Sequence, residues 1–266
     1  MKDKVYIYGP FVGELFWELM YFAPFAIFKK HQDPTVKSII FTRQTRFDLY
    51  GRWADILVPL RIKDEDKFYK QSGFGLEPIS YDFYKELASY IKKRYSSTYM
   101  IKDHFYPDIV GFRSKVKWQF LRDNMIYDFK PRKDNSLDIR KIVPVNKKIV
   151  FVDVNTVEEF TTIYHELKLL NYYCISNNEL LSFLKESQSK GVSYIGYIIE
   201  LLKHCKFVIT NFSSLSFRMS LLLKIPLICP NEAISDDTIH LLNPFNTKVI
   251  KCSNIKDGIQ DYESNI

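Results

Sequence analysis

The sequence predicts an α/β protein made of two Rossmann-like domains that face each other across a cleft. Three observations carry that expectation. Short β-branched and aromatic runs alternate with segments of helical period from residue 4 to residue 43. The same alternation restarts at residue 147. Between the two, "KPRKDNSLDIRKIVPVNKK" at residues 130–148 is charged, contains proline and shows no periodicity, as linkers do. The expected boundary falls there, giving an N-terminal domain at 1–140 and a C-terminal domain at 141–266.

Taken in order, "KVYIYGP" reads as a buried strand, "GELFWELMYFAPFAIFKKH" as an amphipathic helix, and "VKSIIFTR" at 36–43 as a second strand. Together they form a parallel βαβ unit. "YGRWADILVPL" supplies a helix or loop and a short strand ending near Pro59, and "YDFYKELASYIKKRY" a helix across 81–95. In the second domain "KKIVFVDV" at 147–154 is a strand, "TVEEFTTIYHELKLLN" a helix and "YYCIS" a short strand. The helix "YIGYIIELLKHC", the strand "KFVITN", the helix "SSLSFRMSLLLK" and the strand "IPLICP" follow. "NPFNTKVIKC" at 243–252 reads as a loop and a final edge strand. Ligands of such doubly wound sheets bind outside the carboxyl ends of the strands.

A chain of 266 residues with 46% hydrophobic and 16% aromatic content is not a disordered one. Its four cysteines, Cys174, Cys205, Cys229 and Cys252, form no close pair with ligand spacing, and its five histidines are scattered. Reduced structural cysteines and no metal are expected. No run of about 18 apolar residues and no secretion-signal pattern is present, so the expectation is a cytoplasmic protein with no membrane span. A net charge of +7 favours anionic ligands such as nucleotides, sugar phosphates or nucleic acid, although simple solubility accounts for it as well. The absence of GxxxxGK[ST], and of GxGxxG near the first strand, argues against a P-loop kinase and a standard dehydrogenase.

The sharpest signal is "CKFVITNFSSLSFRMSLLLKIPLICPNE" at 205–232. A buried strand leads to Asn211, and Ser213 or Ser214 opens an apolar helix. Serine there caps free amides, and the same amides with the helix dipole form a site for phosphate; both readings stand. Arg218 lies within that helix. In "FVDVNTVEEF" a strand ends at a turn carrying Asn155 and Thr156, either of which caps the next helix. Arg43 directly follows a strand, with Arg46 close behind. In the first domain Gly13 and Glu14 sit where strand turns to helix, and a first-turn acid also favours the dipole. Glu232, beyond "IPLICP", occupies a place suited to a ribose-binding acid.

The run "YIGYIIELLKHCKFVITNFSSLSFRMSLLLKIPLICP" resembles the donor-binding domain of GT-B glycosyltransferases, most closely the heptosyltransferase-like branch. It departs from that branch in its turn, where Asn211, Phe212, Ser213, Ser214, Leu215, Ser216 and Phe217 stand without the family's acid, glycine and histidine. "GPFVGELFWELMYFAPF" and "FTRQTRFDLYGRWADILVPL" are similar to uncharacterised GT-B-like proteins often found in bacteriophages. The resemblance implies a GT-B glycosyltransferase with an acceptor-side N-terminal domain and a nucleotide-sugar-binding C-terminal one. It implies a nucleotide-sugar co-substrate and no obligatory cofactor or metal.

By that resemblance Glu14 is the base that activates the acceptor hydroxyl. Gly13, Asn155, Thr156, Asn211, Ser213, Ser214, Arg218 and Glu232 then serve the donor, and Arg43 and Arg46 contact phosphate or acceptor. The acceptor is a glycan or nucleic acid, including a modified base in phage DNA, and a phage-encoded chain works in the host cytoplasm. The basic, aromatic middle with Arg113, Lys115, Lys117, Trp118 and Arg122 suits a nucleic acid backbone, or is a solvated helix face. The alternatives are a non-catalytic nucleotide or nucleic-acid binding protein with a degenerate GT-B fold, and another α/β transferase such as a pyruvyltransferase.

Overall fold

The computed structural model describes residues 2–11, 15, 18–60, 81–105, 146–176, 179, 194–212, 214–230, 235–237, 239, 243 and 245–264. The chain divides into two compact units, Met1–Arg132 and Lys133–Ile266. Among the described residues each unit holds one sheet, and every strand pair in both is parallel.

The first unit runs β1 (Lys4–Tyr8), a π-helical turn (Glu18–Phe22), α1 (Ala23–Gln32), β2 (Lys37–Thr42), two short 3-10 turns (Gln44–Leu49 and Gly51–Trp53), β3 (Ile56–Pro59), α2 (Tyr81–Ser96) and β4 (Met100–Phe105). Pro24 sits in the first turn of α1, where a missing N–H costs nothing. The strand order is β3-β2-β1-β4. Alternation along β1 sends Val5 and Ile7 to one face, where they pack with Ile39, Phe41 and Ile91 of α2. Tyr6 and Tyr8 turn to the other face, where Tyr8 stacks on Phe105 at 5.3 Å and meets Phe22 edge-on. β4 was not anticipated from the sequence. It is a half-exposed edge strand and lacks a β-branched run.

The second unit runs β5 (Lys148–Asp153), α3 (Val157–Leu169), β6 (Tyr172–Ser176), α4 (Tyr194–His204), β7 (Cys205–Thr210), α5 (Leu215–Leu223), β8 (Leu227–Pro230), β9 (Val249–Cys252) and α6 (Ile255–Ser264). Its strand order is β6-β5-β7-β8-β9. Val150, Val152, Phe207, Ile209 and Ile228 of the central strands bury themselves with Ile163 and Leu167 of α3 and Ile259 and Tyr262 of α6. Burying each such side chain contributes about 1.5–3 kcal/mol, enough for these strands to need no local hairpin support. α5 ends on Lys224 in the left-handed conformation at φ 60°, with the Ile225 amide returning to the Ser220 carbonyl at 2.9 Å. That pair of features is a Schellman closure.

Both sheets have a point where the strand order reverses. In the first unit it lies between β1 and β4, and in the second between β5 and β7. Crevices at such points, outside the carboxyl ends of the strands, are where doubly wound folds take their ligands.

Candidate functional site

In the second unit β5 ends at Asp153 and β7 at Thr210, which face one another across the reversal point. The chain leaves β7 through Asn211, 6% exposed, whose carbonyl accepts the Ser214 amide at 3.1 Å and tightens the turn into α5. Ser214 is the N-cap: its Oγ accepts the Phe217 amide at 3.0 Å. Three hydroxyls then meet. Thr210 Oγ1 lies 2.5 Å from Ser214 Oγ and 3.0 Å from Ser216 Oγ, and the two serine oxygens are 2.9 Å apart. Ser216 donates to the Asp153 carboxylate, tying α5 back to the end of β5.

Two of the helices that begin at this end of the sheet follow β5 and β7, and their charges differ. α3 carries Glu158 and Glu159 in its first turn, and Thr156 caps it by accepting the Glu159 amide at 3.1 Å. α5 has no acidic residue in its first turn. Because acids at a helix N-terminus neutralise its positive end, α5 presents the better anion site. Asn155 and Thr156 are both exposed at the turn after β5, and Arg218 is half-buried on α5.

In the first unit the reversal point is closed by backbone. The Gly9 amide donates to the Phe105 carbonyl at 2.7 Å, and the Phe11 amide to the Phe41 carbonyl at 2.9 Å. The Gly9 carbonyl lies 2.6 Å from His104 Nε2; a carbonyl only accepts, so this nitrogen carries the proton. Burial pushes the His104 imidazole below its ordinary value. Next to this closure Glu18 is completely buried, and it accepts from Thr42, from Arg46 at 2.7 Å and from Tyr50 at 2.6 Å. Burial, with the Glu18 charge beside it, pushes the Tyr50 phenol well above its ordinary range.

Arg46 therefore departs from the expectation of a phosphate or acceptor contact. It is 1% exposed and forms a buried ion pair with Glu18. Arg43, at the end of β2, is 2% exposed. The structure brings Asn211 and Ser214 together and sets Asn155 and Thr156 at the neighbouring strand end. Glu14, Gly13, Ser213 and Glu232 lie outside the described residues, as do Arg113, Lys115, Lys117, Trp118 and Arg122. Sequence reasoning gave no role to Asp153, Thr210 and Ser216. A signal was available: Asp153 and Thr210 each stand one residue before the end of a predicted strand, and a strand order would have paired them.

Among the described residues no cluster of three His, Cys, Asp or Glu side chains has the geometry to hold a metal ion. No helix among them is long and apolar enough to cross a membrane. Burial holds the Cys174 thiol up at about 12, a structural rather than a reactive setting.

No protein-family model and no curated protein sequence matches the chain. Solved structures do. A glycosyl transferase family 9 protein from Veillonella parvula superposes with a TM-score of 0.55 at 12% identity, covering 99% of this chain and 89% of that one. The ADP-heptose LPS heptosyltransferase II of E. coli gives 0.53 at 10% identity over 99% of this chain and 100% of that one. E. coli heptosyltransferase WaaC, solved with ADP, gives 0.51 at 10% identity over 98% and 99%. The fold is the GT-B fold of heptosyltransferase-like proteins, two α/β units each built on a parallel sheet.

Proposed function

We propose that this chain, with the fold of the heptosyltransferase-like proteins, moves a sugar from a nucleotide-sugar donor to an acceptor hydroxyl. The observation that carries the reading is the strand-end cluster of the second unit, where Asn211 and the Ser214 cap open a helix whose first turn is free of acid. The first amides of any helix have no partner within it, so this helix start offers N–H donors and a positive dipole to a diphosphate.

The chemistry asks for two things. An acceptor oxygen attacks the anomeric carbon as the bond from that carbon to the diphosphate oxygen breaks, so the nucleoside diphosphate leaves with added negative charge. The start of α5 stabilises that charge, and no metal is required of the reaction in this reading. The acceptor proton passes to a carboxylate, for which Glu14 is our assignment. Donor contacts are assigned to Asn155, Thr156, Ser213, Arg218 and Glu232 beside Asn211 and Ser214 in the second unit, and to Gly13 in the first. The acceptor is a glycan hydroxyl or a modified base in nucleic acid; for the latter, affinity for DNA falls steeply with added salt, and a salt-independent affinity removes it.

Titration of the protein with ADP-, UDP-, GDP- and dTDP-sugars, read as a shift in melting temperature, tests the donor assignment. At least one raises the midpoint, because a ligand that binds only the folded state stabilises it. No shift with any of them, confirmed by calorimetry, ends the transferase reading. With donor and acceptor identified, Glu14→Gln lowers turnover by about 10²–10⁴-fold while donor affinity holds, the range expected for loss of a general base. Unchanged turnover removes Glu14 from the chemistry. The missing family acid, glycine and histidine favour a second reading, a protein that binds the nucleotide without transfer; donor binding with no product from any acceptor would support it.

A further inference from the structure

In the hydroxyl cluster at the end of β7 one direction of donation is set, from Ser216 to Asp153, and it limits the protons that remain for a ligand. Ser216 gives its only hydroxyl proton to Asp153. Its oxygen is then purely an acceptor toward Thr210 at 3.0 Å and Ser214 at 2.9 Å. Two protons are left, those of Thr210 and Ser214, for the three contacts within the triad, the third being Thr210 to Ser214 at 2.5 Å. Contacts outnumber protons, so a hydroxyl proton turned to a ligand would leave a further contact of the triad without one. The Ser214 oxygen meanwhile accepts the Phe217 amide at 3.0 Å. Thr210 and Ser216 are buried at 0% and 1% exposure, so water does not replace these partners.

We propose that Asp153 is a positioning residue: through Ser216 and Thr210 it ties the first turn of α5 to the ends of β5 and β7, so that a nucleoside diphosphate is received by main-chain amides at the start of α5 and not by the Ser214 hydroxyl. The inference rests on the donor-binding reading above and makes it more specific. It assigns the Ser214 side chain to the helix cap and gives Asp153 a role despite its negative charge. An anion beside a phosphate site would weaken binding if it faced the ligand. Here the carboxylate takes up the Ser216 proton, and what it contributes is placement of the helix start relative to the sheet.

Calorimetry of the whole chain with ADP, UDP and GDP, beside the corresponding monophosphates and melting curves, tests the assignment. Ser214→Ala lowers the melting temperature by a few degrees, as loss of an N-cap requires, and weakens the diphosphate only in step with that loss of stability. Asp153→Ala weakens the diphosphate about tenfold or more and the monophosphate far less. Asp153→Asn, which keeps an acceptor oxygen for Ser216 and drops the charge, binds the diphosphate at least as tightly as the parent. Should Asp153→Ala fail to fold, Ser216→Ala cuts the same link from its other end and is expected to show the same loss.

A tenfold loss in Ser214→Ala at unchanged melting temperature would overturn the assignment, since the hydroxyl would then be a ligand. So would equal weakness of the Asn and Ala variants, or full affinity in Asp153→Ala. Parent protein that binds no nucleoside diphosphate removes the donor reading itself and this inference with it. A parent that binds, with variants that break the pattern, removes the inference alone.

Discussion

Glu18 shows how the fold, and not the neighbouring sequence, decides the setting of a residue. It stands near the start of a helical stretch, where an acid suits the dipole, yet it is wholly buried and bound by Thr42, Arg46 and Tyr50. A buried ion pair of this kind adds little net stability, because both ions had to leave water, but breaking it strands a charge. Glu18→Gln is expected to lower the unfolding free energy by about 3–5 kcal/mol, because Arg46 loses the charge of its Glu18 partner, as urea denaturation would report. Pairing it with Arg46→Met should recover much of that loss. Full stability in the single variant would mean the pair carries no such charge cost. Gly9 is the other position without latitude. Its φ is +96°, and a Cβ there would lie 2.4 Å from the Phe41 carbonyl oxygen, an approach backbone cannot relieve. Gly9→Ala therefore costs more than about 2 kcal/mol, adding left-handed strain to the clash, and a melting midpoint within a degree of the parent would refute it.

At the scale of the element, the two helix starts of the second unit make opposite use of the same capping geometry. Thr156 caps α3 at an exposed turn, where acids already occupy the positive end. Thr156→Ala is expected to cost about 1 kcal/mol of stability through the lost cap and, with Thr156 assigned to the donor site, to weaken nucleotide binding as well, measured by denaturation and calorimetry together. Unchanged affinity beside that loss of stability would confine Thr156 to the cap. These elements are also where the sequence was most legible. β5, β6, β7 and β8 are short apolar runs bounded by turn residues, and α3, α4 and α5 have helical period between them, so type and order follow from pattern alone. Strand β4 and helix α6 carry weaker patterns: β4 is half-exposed at an edge, and α6 buries a single stripe of Ile255, Gly258, Ile259 and Tyr262. The polar clusters were illegible for a different reason. Glu18 is remote in sequence from Thr42, Arg46 and Tyr50, as Asp153 is from Ser216, and no spacing rule joins residues that only the packing of separate elements brings together.

Across the whole molecule, titratable groups set a window of pH for stability. Burial lowers the His104 imidazole from 6.5, so below that value the unfolded chain binds more protons than the folded one and stability falls as pH drops. Burial raises the Tyr8 and Tyr50 phenols well above 10.0, and Tyr197 to about 12. Burial raises the Cys174 thiol as well, from 9.0 to about 12. Between the unfolded and folded values the folded state holds the extra protons, so stability declines as pH rises past about 9 and further past 10. Unfolding free energy measured from pH 5 to 11 is expected to plateau between about 6.5 and 9 and to fall on both sides. His104→Asn should flatten the acid limb; an unchanged limb would assign it to other groups.

The parallel pairing of both sheets also sets a timetable. Among the described residues no strand closes against its chain neighbour through a hairpin: β1 reaches its second partner only when Val5 meets Ile101, and β5 only when Val150 meets Phe207. Each pairing closes a long loop before any contact rewards it, so folding belongs to the slow, topology-limited regime. Until β4 and β7 arrive, β1 and β5 each keep an open edge rich in Val, Ile, Phe and Tyr, the kind of edge that recruits other chains. What makes the strand ends a place for ligands in the finished protein thus makes its nascent chain dependent on dilution, or on a chaperone, for safe arrival.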